Sequence, residues 1–439
     1  MDGLVPAIEK MQREGLGEAA IETFRRAYER LRAGDAGLLP EAEIEPIDEL
    51  PGLDDLPADD GGFGEAIEHA VVLKLNGGLG TTMGLTRAKA LLAIKDGMTF
   101  LDVIARQVLE LRRRTGARLP LVLMNSFHTR EDSLAALARY PELPADVPPD
   151  FVQNKLPKLR ADDLHPVSWP DDPELEWAPP GHGDLYTALQ TSGMLEALLD
   201  RDYRYAFVSN SDNLGAVLDA RILAWIAREE IPFLMEAVER THADRKGGHL
   251  ARRRGDGGLV LRERAQTPEA DIPAFEDVQR HRFFNTNTLW IDLRALADVL
   301  ERRGGSLDLP LIVNRKTVDP ADPSSPQVVQ LETAAGAAIG AFEGARAVRV
   351  SRRRFAPVKT TNDLLVVRSD AYVVTGEWHV ELVPERGDTP PIVDLDPRYY
   401  KLLRDFEARF PEGPPSLKGC ERLSVVGDAV FGSQATATS

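Results

Sequence analysis

A three-layer α/β fold with a mixed sheet is predicted by three observations. The run Val71-Val72-Leu73-Lys74-Leu75 has four apolar residues in five and reads as a buried strand. It runs directly into Gly77-Gly78-Leu79-Gly80-Thr81-Thr82-Met83-Gly84, four glycines in eight residues. A strand that ends in such a loop is where α/β proteins hold phosphate groups, because glycine lets backbone N–H groups approach a bulky anion. From residue 70 onward, strand and helix patterns alternate over roughly 300 residues, as a layered α/β domain requires.

The elements follow in order. Ile21, Phe24, Tyr28 and Leu31 recur at helical spacing with Arg and Glu between them. This N-terminal helix is expected to pack on the main domain, with partner binding as the alternative. Glu41 to Asp60 holds nine acids and no Lys or Arg. With Pro46, Pro51, Pro57 and Gly61-Gly62 nearby it reads as a solvated linker, an acidic docking segment being the alternative. Thr99-Phe100-Leu101-Asp102 resembles a capping box and is followed by Leu101, Ile104, Ala105 and Val108 on one helix face. Leu119 to Met124 is the next buried strand and Glu131 to Ala138 another helix. Tyr205 to Ser209, Ile231 to Val238 and Phe283 to Ile291 are further strands. The expected division is an N-terminal helical segment with its acidic linker over 1–65, a main domain over 66–375 and a small C-terminal domain over 376–439.

Composition narrows the function. The 439 residues are 43% hydrophobic and 28% charged, an ordinary globular balance. No apolar run approaches the length of a membrane span, and no secretory signal is visible, so a cytoplasmic protein without membrane partners is expected. The single Cys420 rules out an internal disulfide framework and a Cys-based zinc site. The net charge of −17 argues against a nucleic-acid partner. An enzyme of phosphorylated substrates would need local basic residues and a metal against that field.

Several chemistries compete for the glycine-rich loop. A P-loop requires a Lys after its last glycine, and none stands at that spacing. Gly78, Gly80 and Gly84 approximate a dinucleotide fingerprint. However, only Leu85 to Lys89 separates them from the next apolar run, Ala90 to Ile94, which is too short for a crossover helix. A nucleotidyltransferase loop, with Lys89 reaching back to the phosphates, fits the spacing. A turn that binds nothing is the remaining reading.

Leu75-Asn76-Gly77-Gly78-Leu79-Gly80-Thr81-Thr82-Met83-Gly84 resembles the L-N-G-G-L-G-T-x-M-G signature of the eukaryote-type UTP–glucose-1-phosphate uridylyltransferases, or UDP-glucose pyrophosphorylases. Further segments follow in the family's order: Leu123-Met124-Asn125-Ser126-Phe127, Pro179-Pro180-Gly181-His182-Gly183-Asp184 and Val208-Ser209-Asn210-Ser211-Asp212-Asn213-Leu214-Gly215. Phe233-Leu234-Met235-Glu236, Lys246-Gly247-Gly248, Phe284-Asn285-Thr286-Asn287, Gln330-Leu331-Glu332-Thr333-Ala334-Ala335-Gly336 and Pro357-Val358-Lys359-Thr360-Thr361 complete the series. The resemblance covers about residues 70 to 400. It implies a Rossmann-like nucleotidyltransferase domain, with Leu75, Asn76, Gly77 and Gly78 against the nucleotide.

Pro179-Pro180-Gly181-His182-Gly183 suits neither helix nor strand and must be a loop. An exposed turn histidine is the plain reading; the resemblance implies Gly181 against the uracil nucleotide and His182 against the sugar phosphate. Asp212 follows the strand Tyr205 to Ser209, at the end where α/β sheets place ligands. Mg²⁺ typically takes one or two carboxylates plus phosphate oxygens and waters, which suits Asp212, and the resemblance assigns the metal to it. A simple cap of the next element is the alternative. Asn210 has the donors and acceptors for sugar hydroxyls. Arg352, Arg353 and Arg354 read as a solvated basic face. Lys359 differs, with Phe355 and Val358 flanking it and Pro357 stiffening its approach. The resemblance implies that Lys359 and Lys89 bind the nucleotide phosphates and are catalytic, although Arg87-Ala88-Lys89 replaces the family's common G-P-K. Gln153 matches the family's uracil reader, an amide being complementary to the uracil edge, within Phe151-Val152-Gln153-Asn154 where F-N-Q-S is common. Asn287 and Glu332 are implied to bind sugar hydroxyls, with Gly247 and Gly248 allowing close approach.

The implied reaction is Mg²⁺-assisted transfer of UMP from UTP to a hexose 1-phosphate, glucose 1-phosphate first among them. The alternatives are a UDP-sugar pyrophosphorylase of broader choice and a catalytically dead sugar-nucleotide sensor. Asp212, Lys89 and Lys359 together argue against the sensor. Family members end in a C-terminal β-helix. Ser424-Val425-Val426-Gly427-Asp428-Ala429-Val430-Phe431-Gly432 resembles its start and the polar tail Ser433 to Ser439 follows at once. A short, truncated β-helix-like unit and a monomer or homodimer are therefore expected.

Overall fold

The computed structural model describes residues 3–35, 37–57, 61–320 and 322–432, so the polar tail 433–439 and the end of the acidic stretch, 58–60, lie outside the described residues. Two units are formed: Met1–Gly62 with Phe151–Phe207 and Arg221–Arg349, and Phe63–Asp150 with Val208–Ala220 and Val350–Ser439. The chain passes from the first to the second within the strand Tyr205–Asn210.

In the first unit the N-terminal segment makes two helices, Leu4–Arg13 and Glu18–Arg32. Their apolar faces, among them Ile8, Met11, Phe24 and Tyr28, pack on Leu156, Leu159, Val329 and Leu331. This is the packing that the helical spacing predicts; truncating fully buried Phe24 to Ala would cost about 3–5 kcal/mol. The acidic stretch behaves differently from its composition. Ile44, Ile47 and Leu50 are buried, and Ile44–Glu45 is a strand paired with Arg252 and Arg253. Glu41 accepts from Arg262 Nη1 at 2.5 Å, Arg280 Nε at 2.7 Å and His281 Nε2 at 3.1 Å. The stretch is a packed strap, because its acids meet arginines that lie some two hundred residues further along the chain.

The antiparallel core of this unit pairs Phe233–Glu239 with Phe283–Asp292, in register Leu234↔Trp290. Arg346–Arg349 runs parallel to the first of these, and the hairpin His249–Arg253/Leu259–Arg262 extends the array. A separate antiparallel sheet joins Ile312–Thr317, Gln327–Glu332 and Leu159–Arg160.

In the second unit the apolar run is the strand Ala70–Asn76, buried at every position. It pairs in parallel with Leu121–Asn125, register Val72↔Leu121 to Asn76↔Asn125. Leu119 takes a left-handed φ of 31°, so the second strand begins after that turn. The residues between the loop and the next helix form a short 3₁₀ turn, Lys89–Leu91, and the hairpin Ala93–Lys95/Met98–Thr99, as the missing crossover helix required. The crossover is the later helix Phe100–Thr115, capped as expected: Thr99 Oγ1 accepts from Asp102 N at 3.2 Å and Asp102 Oδ2 accepts from Thr99 N at 2.8 Å. In the C-terminal segment Ile392–Leu395 pairs in parallel with Arg422–Val425. Helices among parallel and antiparallel strands make the mixed α/β architecture that the alternating pattern predicts. No helix among the described residues is long and apolar enough to cross a membrane.

Candidate active site

Three residues far apart in sequence meet in the second unit. Asp212 accepts from Lys89 Nζ at 2.5 Å, and Lys359 Nζ lies 2.8 Å and 3.1 Å from its two oxygens. Asp212 is 8% exposed. Burial alone would push its carboxyl up, but Lys359 and Lys89 outweigh burial and hold it below the ordinary carboxylate range. Burial lowers the Lys89 ammonium, against the pull of Asp212. The Lys359 side chain is more than half exposed.

Backbone contacts fix the three against one another. Lys89 N donates to Gly78 O at 3.0 Å, which folds the glycine-rich loop back on its lysine. Gly80 sits at φ 69°, and a Cβ there would meet Leu85 Cδ1 at 2.7 Å and Lys89 Cγ at 3.2 Å, so a larger residue would be strained and would displace Leu85. Ser211 N donates to Leu75 O at 3.1 Å, and Val358 N to Asp212 O at 3.1 Å. Thr360 caps the helix Thr361–Arg368, with Lys359 N and Thr360 N both donating to Asp363 Oδ2 at 2.8 Å. Below the loop, Asn76 Nδ2 donates to Asn125 Oδ1 at 2.7 Å and Ser133 Oγ at 2.8 Å. Thus hydrogen bonds tie Leu75, Gly78, Lys89, Asp212 and Lys359 into one cluster, with Asn76 packed behind it on Asn125 and Ser133.

The other expected ligands belong to the first unit. Gly181 has φ 78°, and a Cβ there would lie 2.5 Å from Thr333 O. Thr333 N donates to Pro180 O and Gly183 N to Thr333 O, both at 2.9 Å, so this loop is sewn to the strand that ends at Glu332. His182 Nδ1 accepts from Ala335 N at 2.9 Å, which leaves the proton of a neutral ring on Nε2. Gly247 lies against the Phe284 ring and Gly248 against the Glu263 carboxylate, each too close for a Cβ. Asn287 takes a left-handed φ of 56° at a break in strand register near Met235 and Ala237. Such an irregularity re-aims a side chain out of the strand pattern. Gln153 is buried just beyond the strand Asp150–Val152.

Three contributors lie outside the sequence expectation. Lys74 is buried inside the strand, where its Nζ donates to Ser209 Oγ at 2.6 Å and Ala216 O at 3.1 Å, bracing the segment that carries Asp212. The only signal for it is a lysine in an otherwise apolar run. Arg354 is buried, unlike a solvated face residue, because its guanidinium donates to Val217 O at 2.7 Å. Asp184 is buried and accepts from Asn154 N at 2.6 Å and Asn154 Nδ2 at 2.9 Å. Burial pushes its carboxyl up to about 7, the Asn154 hydrogen bonds opposing. Among the described residues no group of three or more His, Cys, Asp or Glu could hold a metal ion.

Residues 21–437 match the family model of UTP–glucose-1-phosphate uridylyltransferase. The chain is similar to the UTP–glucose-1-phosphate uridylyltransferase of Solanum tuberosum, 40% identical over 395 residues, which cover 90% of this chain and 80% of the relative. It is also similar to the crystal structure of a point mutant of UDP-glucose pyrophosphorylase from Leishmania major, with TM-score 0.91 and 46% identity over 99% of this chain and 92% of that one. A second mutant of that protein, solved in complex with UDP-glucose, aligns with TM-score 0.91 and 47% identity over 97% of this chain and 91% of that one. With its loop, its paired lysines and these relatives in agreement, the chain belongs to the UTP–glucose-1-phosphate uridylyltransferase family.

Proposed function

We propose that this protein transfers UMP from UTP to glucose 1-phosphate, giving UDP-glucose and pyrophosphate. The observation that carries the reading is Asp212 between the ammonium groups of Lys89 and Lys359, beside the glycine-rich loop. The cluster gathers two positive charges and contains no nucleophile. None is needed, because the phosphate of the sugar is already an anion. It attacks the α-phosphorus of UTP, and the bond to the pyrophosphate oxygen breaks as the new P–O bond forms. Catalysis is then alignment and charge stabilisation. Lys359, the more exposed of the two lysines, is the one free to exchange Asp212 for a phosphate oxygen. His182 donates from Nε2 to the sugar phosphate. Asn210, Asn287 and Glu332 meet sugar hydroxyls, with Gly247 and Gly248 against the ring. Leu75, Asn76, Gly77, Gly78 and Gly181 line the nucleotide. Phosphorus NMR of UTP, glucose 1-phosphate and the protein should show UDP-glucose and pyrophosphate appearing together; pyrophosphate without UDP-glucose would overturn the reading.

Mg²⁺ fits this site on donor chemistry: Asp212 supplies one hard carboxylate, and such ions complete their shell with phosphate oxygens and water. When bound it would neutralise charge on the phosphates. One carboxylate flanked by two ammonium groups does not retain a dication alone. Electron paramagnetic resonance titration with Mn²⁺ should therefore show tight binding only when UTP is present. Tight binding by the protein alone would contradict Asp212 as the protein anchor.

Gln153 reads the base in this account, its amide pairing donor to acceptor with the uracil edge. Gln153→Ala should reduce the preference for UTP over CTP by about tenfold, the cost of one unsatisfied polar contact. An unchanged preference in competition assays places the base reader elsewhere.

A further inference from the structure

We propose that Asp184 is a positioning residue for base recognition, tying Asn154, the neighbour of Gln153, to the loop that carries Gly181 and His182. The inference rests on Gln153 as the base reader.

The Asp184 carboxylate is 6% exposed, and among the described residues no Lys or Arg pairs with it. Among the described residues its side-chain hydrogen bonds come from Asn154: the backbone N–H at 2.6 Å to Oδ2, and Nδ2 at 2.9 Å to Oδ1 and 3.2 Å to Oδ2. A buried carboxylate without a cation is costly. An amide would be cheaper to bury, but it carries one acceptor and would turn its own N–H₂ toward a donor. Oδ2 accepts from both the backbone N–H and Nδ2 of Asn154, and Oδ1 gives Nδ2 its shorter contact, which an amide N–H₂ in that place would turn into a donor facing a donor. Burial raises this carboxyl to about 7, with the Asn154 hydrogen bonds opposing the rise.

The bridge is rigid at both ends. Asp184 N donates to Gly181 O at 3.2 Å. Gly181 and Gly183 press so closely on Thr333 that Cβ atoms would lie 2.5 Å and 2.3 Å from its oxygens. Asn154 Oδ1 in turn accepts from Thr191 Oγ1 at 3.5 Å, in the helix Leu185–Thr191 that starts just after Asp184. Asn154 is thus held by backbone and side chain to one element, which anchors the backbone next to Gln153. The geometry therefore couples the residue that reads the base to the loop beside Thr333 and Glu332.

Steady-state kinetics on Asp184→Asn and Gln153→Ala, with UTP and CTP, tests this. Asp184→Asn should raise KM for UTP about tenfold and narrow the UTP preference as Gln153→Ala does, with KM for glucose 1-phosphate changed less than about twofold. A purely structural role would lower the active fraction, and so apparent kcat, with both KM values and the base preference unchanged; that result overturns the proposal. If Asp184→Asn does not fold, Asn154→Ala, which removes the side-chain half of the bridge, gives the same readout and decides by the same criteria. If Gln153→Ala leaves base preference unchanged, the base-reader assignment falls and this inference with it. If Gln153→Ala narrows it and the Asp184 or Asn154 variant does not, only the inference falls.

Discussion

Asp212→Asn is expected to lower kcat by about 10³ with the fold retained. Asparagine keeps the shape of the side chain and removes the charge that two lysines share. Among the described residues the buried ammonium of Lys89 then has no carboxylate within bonding distance. Some loss of stability, about 1–3 kcal/mol, accompanies the change, since Lys89 is left with an unsatisfied charge. The pH dependence has a definite sign. Asp212 is held below the ordinary carboxylate range, so its stabilising contribution is complete at neutral pH and is lost as pH falls through its depressed value. The stability gap between wild type and variant, measured by thermal melts, should therefore close in acid. Near-normal turnover at limiting Mg²⁺, or a gap that widens in acid, contradicts the role given to Asp212.

Lys359→Ala should lower kcat by about 10², the effect of losing one preorganised charge-stabilising donor. Stability should move by no more than about 0.5 kcal/mol, because the side chain is largely exposed and Asp212 keeps Lys89. The backbone is independently held through Asp363 and the Val358 amide, so the loop should not move. This separates chemistry from folding more cleanly than any change at Asp212. Glucose 1-phosphate binding should suffer less than turnover. A change confined to KM for the sugar would make Lys359 a sugar ligand instead.

How much was legible in the sequence depended on how local each cause is. The strand Ala70–Asn76 and its loop were readable because a continuous apolar run and a cluster of glycines are local statements about burial and backbone freedom. The Thr99–Asp102 cap was readable for the same reason. Lys89, Asp212 and Lys359 could be nominated one at a time, yet nothing in the sequence says that one carboxylate holds both lysines. The acidic stretch misled because its composition is local while its partners, Arg252, Arg253, Arg262 and Arg280, are remote. Arg354 misled in the same way, its acceptor being a carbonyl from residue 217. Asp184 is visible in sequence only as the end of a loop motif, and its chemistry emerges once Asn154 is seen against it.

The most direct test is steady-state pyrophosphate release from UTP with glucose, galactose, xylose and N-acetylglucosamine 1-phosphates, run on wild type and on Lys359→Ala. The account predicts the highest kcat/KM for glucose 1-phosphate and a loss of about 10² across every accepted sugar in the variant. Comparable kcat/KM values for several sugars would make this a broad-specificity pyrophosphorylase. No pyrophosphate release with any of them would contradict the account at its centre.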